Sequence, residues 1–65
     1  MKIIVNGEAR EVAGPDLAAA LDELGYGDVV VATAINEAFV PVTARPAHRL
    51  ADGDVVEVLA PMQGG

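Results

Sequence analysis

Lys2-Ile3-Ile4-Val5-Asn6-Gly7-Glu8 places three β-branched residues directly before a two-residue turn. Asparagine and glycine both tolerate positive φ, so Asn6-Gly7 after such a run signals a tight hairpin. Strand one therefore folds back onto Glu8 to Val12. Glu8, Arg10 and Glu11 make that second strand polar enough to be a sheet edge with one face in water. Gly14-Pro15 stops it, so the chain begins as an antiparallel pair that still needs a cover.

The cover follows at once. Asp16 is placed to N-cap a helix, its carboxylate accepting from the free amides of the first turn. Leu17, Leu21 and Leu24 recur at i, i+4 and i+7 with Ala20 alongside, forming one apolar stripe, while Asp22 and Glu23 face away. Gly25 sits where a left-handed residue would end the helix, and Gly27 loosens the exit.

Val29 to Ile35 is the longest β-favouring run, and its continuous apolar character predicts a central strand buried on much of both faces. Asn36-Glu37 offers a turn, Ala38-Phe39-Val40 a brief return strand, and Pro41 its end. Thr43 to Arg49 has no sustained period and reads as a surface loop with room for one helical turn. Asp52-Gly53 gives a further turn, and Val55 to Ala60 is the last strand. One helix against a mixed sheet of about five strands is an α+β roll. Strand five parallel to strand one would put the segment after it at an edge of the sheet.

That segment is Pro61-Met62-Gln63-Gly64-Gly65. Pro61 lacks a backbone N–H and ends a ladder, so residues 1–60 read as the domain and 61–65 as a flexible arm. At about 3.3 to 3.6 Å per extended residue, the four residues after Pro61 carry the terminal carboxylate roughly 13 Å outward, enough to enter a cleft. Gly64 and Gly65 lack Cβ atoms and leave that end thin. At ordinary glycine usage a terminal pair arises by chance roughly once in two hundred sequences, which favours a function over mere fraying.

Composition narrows the classes. Sixty-five residues make one small domain, and the absence of cysteine excludes disulfides and thiolate zinc sites, so packing alone must stabilise it. Ten acidic residues against four basic ones give a net charge of −6, which repels nucleic acid phosphates and anionic membranes; it reads first as solubility, with steering toward a basic partner as the functional alternative. No apolar run approaches the roughly 20 residues of a membrane span, and Met1-Lys2-Ile3 begins no signal-peptide pattern, which together predict a cytoplasmic protein. Hydrophobic residues make up 52% of the chain, more than one short helix covers, so an apolar sheet face is expected to remain open for a protein contact.

The body offers no catalytic constellation. His48 is the lone histidine, beside Arg49 and without a local base, nucleophile or metal co-ligand, and reads as a surface or structural residue. Serine is absent, and neither Thr33 nor Thr43 has an activating partner nearby in sequence. Asp52 and Asp54 flank Gly53 as a turn, without the continued oxygen ligands of a calcium loop. Gly25-Tyr26-Gly27 lacks the further glycine and preceding strand of a dinucleotide site. No metal and no bound cofactor is predicted. Any chemistry falls to the Gly65 carboxylate, inert until a second protein with ATP activates it.

The chain resembles the ThiS-type sulfur carriers of thiazole (thiamin) biosynthesis, which are ubiquitin-like β-grasp proteins. The likeness runs through Met1 to Glu8, the leucine-rich helix after Gly14, Ala34-Ile35-Asn36-Glu37 with Val40-Pro41, Leu50 to Glu57, and terminal Gly64-Gly65. The resemblance implies that a ThiF-type adenylating enzyme converts the Gly65 carboxylate to an acyl-adenylate using ATP. Sulfur from a donor such as a cysteine desulfurase then replaces AMP, and a ThiG-type thiazole synthase accepts it from the thiocarboxylate. It further implies that Gly65 carries the sulfur, that Gly64, Gln63 and Met62 thread into the partner enzymes, and that an apolar sheet face docks on them. The chain would thus be a carrier acted on by enzymes, not an enzyme.

Val42 stands where the family commonly has a basic residue after Val-Pro, and the loop to Pro46 lacks a frequent aromatic, so contacts made by that loop are not carried over. The alternatives are the small subunit of molybdopterin synthase, another ubiquitin-like carrier or protein-conjugating modifier, and a β-grasp interaction domain that needs no Gly65.

Overall fold

The computed structural model describes residues 1–61. Strand β1 (Lys2–Val5) turns through Asn6 and Gly7, both at positive φ, into antiparallel β2 (Glu8–Glu11). Helix α1 (Leu17–Glu23) follows, then β3 (Ala32–Ile35), β4 (Ala38–Val40), a 3₁₀ helix (Val42–Ala47) and β5 (Val55–Leu59). The five strands form one mixed sheet in the order β2-β1-β5-β3-β4, with β1 and β5 parallel and the other pairs antiparallel. One helix packed on a five-stranded mixed sheet is the expected α+β roll.

The helix forms where its signals lie. The Asp16 carboxylate accepts from the Ala19 amide at 2.9 Å, and Gly25, at φ 94°, takes the left-handed position beyond the Leu24 cap. Leu17, Ala20 and Leu21 are buried against Ile3, Val5, Val56 and Val58 from the inner face of the sheet. The start of α1 is also stitched to the segment before β5: Leu17 N–H donates to the His48 carbonyl and Leu50 N–H to the Pro15 carbonyl, each at 2.9 Å.

Three strand expectations are corrected. The run Val29 to Ile35 is a strand only from Ala32, and Val29 and Val30 are exposed, Val30 to 80%. Val29 N–H donates to the Tyr26 carbonyl in a turn, and the rungs to β5 begin only at Ala32 opposite Leu59, so residues 29–31 have apolar character without a neighbouring strand. Nor is β3 buried on both faces: Thr33 and Ile35 point inward, while Ala32 is exposed and Ala34 half-buried. The central strand is β5, so the chain beyond it leaves from the middle of the sheet and not from an edge. Most of the predicted loop 43–49 is the two-turn 3₁₀ helix that begins one residue earlier, at Val42, and whose Arg45 reaches back to β3. Elsewhere boundaries shift by one residue, β2 ending at Glu11 and β5 at Leu59.

Glu23, expected simply to face solvent, instead bridges α1 to the chain that leads into it. Its carboxylate accepts from Ala13 N–H at 2.9 and 3.1 Å and from Gly14 N–H at 2.9 Å. The Ala13 amide first, then that of Gly14, holds the carboxyl below its ordinary pKa. A carboxylate depressed in the folded state adds stability above its unfolded pKa, about 4.3, and loses it as pH falls through the lower folded value. The melting-temperature difference between wild type and Glu23→Gln should therefore be largest near neutrality and shrink toward pH 3. A difference constant over that range would show that the charge of Glu23 is irrelevant.

Candidate functional site

Strand β5 is the last strand and leads into Ala60 and Pro61, where the described residues end. Its backbone groups alternate between neighbours: Ile4 and Asn6 of the β1 side donate to the carbonyls of Asp54 (2.9 Å) and Val56 (3.0 Å), and Asn36 at the end of β3 donates to the carbonyl of Val55 (2.7 Å). Ala34 stands opposite Glu57, and Ala32 opposite Leu59. A strand paired on both sides is a rigid mount for whatever follows it. Leu59, Ala60 and Pro61 then line an apolar hollow of about 350 Å³ together with Val30, Val31 and Ala32. The sulfur-carrying residue expected at Gly65, and the threading residues Met62, Gln63 and Gly64, lie outside the described residues.

The same strand displays the open apolar face. Because side chains alternate along a strand, Val55, Glu57 and Leu59 point away from the helix while Val56 and Val58 point into the core. Register places Ile4 beside Val55, Ala34 between Glu57 and Phe39, and Ala32 beside Leu59. Leu59 is 71% and Phe39 70% exposed. Large apolar side chains gathered on one sheet face, next to Ala60 and Pro61, are what a protein contact requires. Neither residue was singled out by sequence pattern alone; the parity of Leu59 with Val55 was the available signal, since Val56 and Val58 at the opposite parity fill the core.

The interior polar groups are structural. Thr33 is buried, donates its hydroxyl to the Val40 carbonyl at 2.9 Å and accepts from Arg45 Nε at 3.0 Å, so it has no proton to lose to a base. Arg45 also donates through Nη2 to the Val31 carbonyl, tying the 3₁₀ helix to the segment entering β3. His48 is half-buried, and its backbone joins α1. Asp52 and Asp54 build the turn before β5: Asp52 accepts from Lys2 N–H at 2.7 Å, and Asp54 accepts from Ala51 N–H at 2.8 Å. Among the described residues no cluster of histidine and carboxylate side chains is arranged to hold a metal ion, and no helix is long and apolar enough to cross a membrane.

Comparison with known proteins agrees with this arrangement. The sequence model of the ThiS family matches residues 3–65. A curated relative from Thermus thermophilus, "Sulfur carrier protein ThiS", is 47% identical over 62 residues, covering 94% of this chain and 95% of that protein. The crystal structure of the thiamine biosynthesis protein (ThiS) from Geobacter metallireducens superposes with a TM-score of 0.82 at 30% identity, covering all of both chains.

Proposed function

The chain belongs to the ThiS family, and from that premise we propose that it carries sulfur for thiazole formation in thiamin biosynthesis, on the carboxylate of Gly65. As a member of that family it is a carrier rather than a catalyst. The observation that carries the reading is that one strand, β5, supplies both the middle of an open apolar face and, past Pro61, the chain that ends in Gly64-Gly65. A partner seated on that face has the arm delivered beside it.

The chemistry follows from what a carboxylate lacks. An unactivated carboxylate has no competent leaving group, so an adenylating enzyme joins it to the α-phosphate of ATP and releases pyrophosphate. Hydrosulfide then adds to the acyl carbon and AMP departs with the electrons of the C–O bond, so that one oxygen of Gly65 has become sulfur; a protein persulfide would instead leave an acyl disulfide, which a thiol must reduce to the thiocarboxylate. The thiocarboxylate is the nucleophile offered to thiazole synthase. ATP binds the activating enzyme, and the carrier contributes reach, thinness and a docking face. Met62 and Gln63 link the face to the glycines, and Gly64 keeps the arm narrow.

Intact mass after incubation with a ThiS-activating enzyme, ATP and sulfide tests the reading. Replacement of one oxygen by sulfur supports it. An unchanged mass with an enzyme active on its own carrier would overturn the thiazole assignment, and the molybdopterin-synthase partners would be tried next.

Docking makes a separate prediction. Phe39→Asp and Leu59→Asp alter side chains that are mostly in water already, so folding should change little. Each removes an apolar anchor worth about 1.5–3 kcal/mol when buried, equivalent to roughly 10- to 150-fold in affinity for the activating enzyme by calorimetry. Unchanged affinity in both variants would place docking elsewhere.

A further inference from the structure

We propose that Asn6 is a positioning residue for the reactive terminus, a role that rests on the carrier reading above. Strand β1 ends at Val5 and the chain turns away into β2, yet β5 continues to Leu59. From that point the Asn6 side chain stands in for the departed strand. Its Nδ2 donates to the Val58 carbonyl at 3.1 Å, and its Oδ1 accepts from the Val58 N–H at 2.9 Å. One edge of a primary carboxamide presents an N–H donor beside the carbonyl acceptor, so this reciprocal pair mimics two more hydrogen bonds of the ladder. The left-handed φ of 49° at Asn6 occurs in the turn that sends β1 away from β5.

The clamp holds the last inward-facing residue of β5, immediately before the face residue Leu59 and the departure of the arm. On the opposite side the last rung is Ala32 with Leu59. Val58 and Leu59, the last residues of β5 before Ala60 and Pro61, are thus gripped from both neighbours. Without Asn6 the β1 side of the strand lets go two residues earlier, and the acyl group searches a larger volume for the same partner site.

The fold contains its own control. Asn36 has the same left-handed φ, 50°, and also clamps β5 through its side chain, accepting from Val55 N–H at 3.0 Å and donating to Asp54 at 3.1 Å. It grips the start of the strand, far along the chain from the arm. Asn6→Gly and Asn36→Gly each keep a residue suited to positive φ and each delete one clamp.

The test measures adenylation of the full chain by a ThiS-activating enzyme, as pyrophosphate release, together with amide exchange in the free carrier. Asn6→Gly should speed exchange at Val58 and lower kcat by about tenfold with little change in KM, because docking is intact while the acyl group is misplaced. Asn36→Gly should speed exchange at Val55 and leave kcat near wild type. An Asn6→Gly chain with wild-type kcat, an equal kcat loss in both variants, or unaltered exchange at Val58 would each overturn the proposal. If the wild-type chain is not adenylated, the carrier reading fails, and unaltered Val58 exchange would still refute the clamp on its own.

Discussion

A chain ending at Gly64 is expected to acquire no sulfur from an activating enzyme that converts the full-length chain completely. The truncated chain still ends in a glycine carboxylate of the same intrinsic reactivity, with Gln63 now directly behind it where the full chain has Gly64. The larger change is position. One extended residue is about 3.3 to 3.6 Å, and a displacement of only 1 Å at a reacting centre costs on the order of a hundredfold in rate. On the proposed reading the apolar face docks and β5 holds Ala60 and Pro61 in place, so the body cannot slide forward without losing its docking contacts. Affinity for the activating enzyme should therefore fall far less than the rate. Intact mass and calorimetry on the two chains check both halves. Efficient charging of the shortened chain would mean that the arm's length is not set by the body, and would remove the reason for a rigid β5.

Much of this arrangement is legible where a feature depends on near neighbours in the chain. Asn6-Gly7 turns because of its own backbone preferences, Asp16 caps because the free amides are three residues away, and Gly25 ends the helix because it alone tolerates φ 94° without penalty. The expectation placed on Gly64-Gly65 is local in the same way, though those residues lie outside the described ones.

What depends on distant partners is hidden. Val29-Val30-Val31 has strong β propensity, but a strand exists only where another strand runs beside it, and β5 ends at Leu59 opposite Ala32. Arg45 takes the Val31 carbonyl instead. The centrality of β5 was obscured for a related reason: Glu57 interrupts its apolar run, and apolar content reports burial of faces, whereas place in a sheet is set by pairing on edges. Asn6 could be read as a turn residue, but its second role lies 52 positions away at Val58. The open face has the same character. Phe39 and Leu59 look like core residues until register turns them outward together with Ile4 and Val55.

The second large effect is on stability. Leu17→Ala is expected to leave a substantial fraction of the chain unfolded in the absence of denaturant. Leu17 is fully buried, at the first turn of the only α-helix among the described residues, and it sits in the cluster that joins that helix to β1 and β5. Truncating such a leucine costs about 2–5 kcal/mol, because the lost transfer free energy is compounded by a cavity that neighbours only partly fill. A core of this size supplies about 3–5 kcal/mol in total. With no disulfide to restrain the unfolded chain, nothing offsets the loss. Leu17→Met nearly conserves volume and should cost less than about 1.5 kcal/mol, which separates cavity formation from any damage to the Asp16 cap. Urea titration gives both values. A loss under about 1 kcal/mol for Leu17→Ala would mean that the helix can settle onto the sheet to close the space. In the expected case, an excess of activating enzyme should restore folding, since a partner that binds only the native face draws the equilibrium back by mass action. The docking surface and the fold would then be measured in the same titration, as two ends of one linked equilibrium.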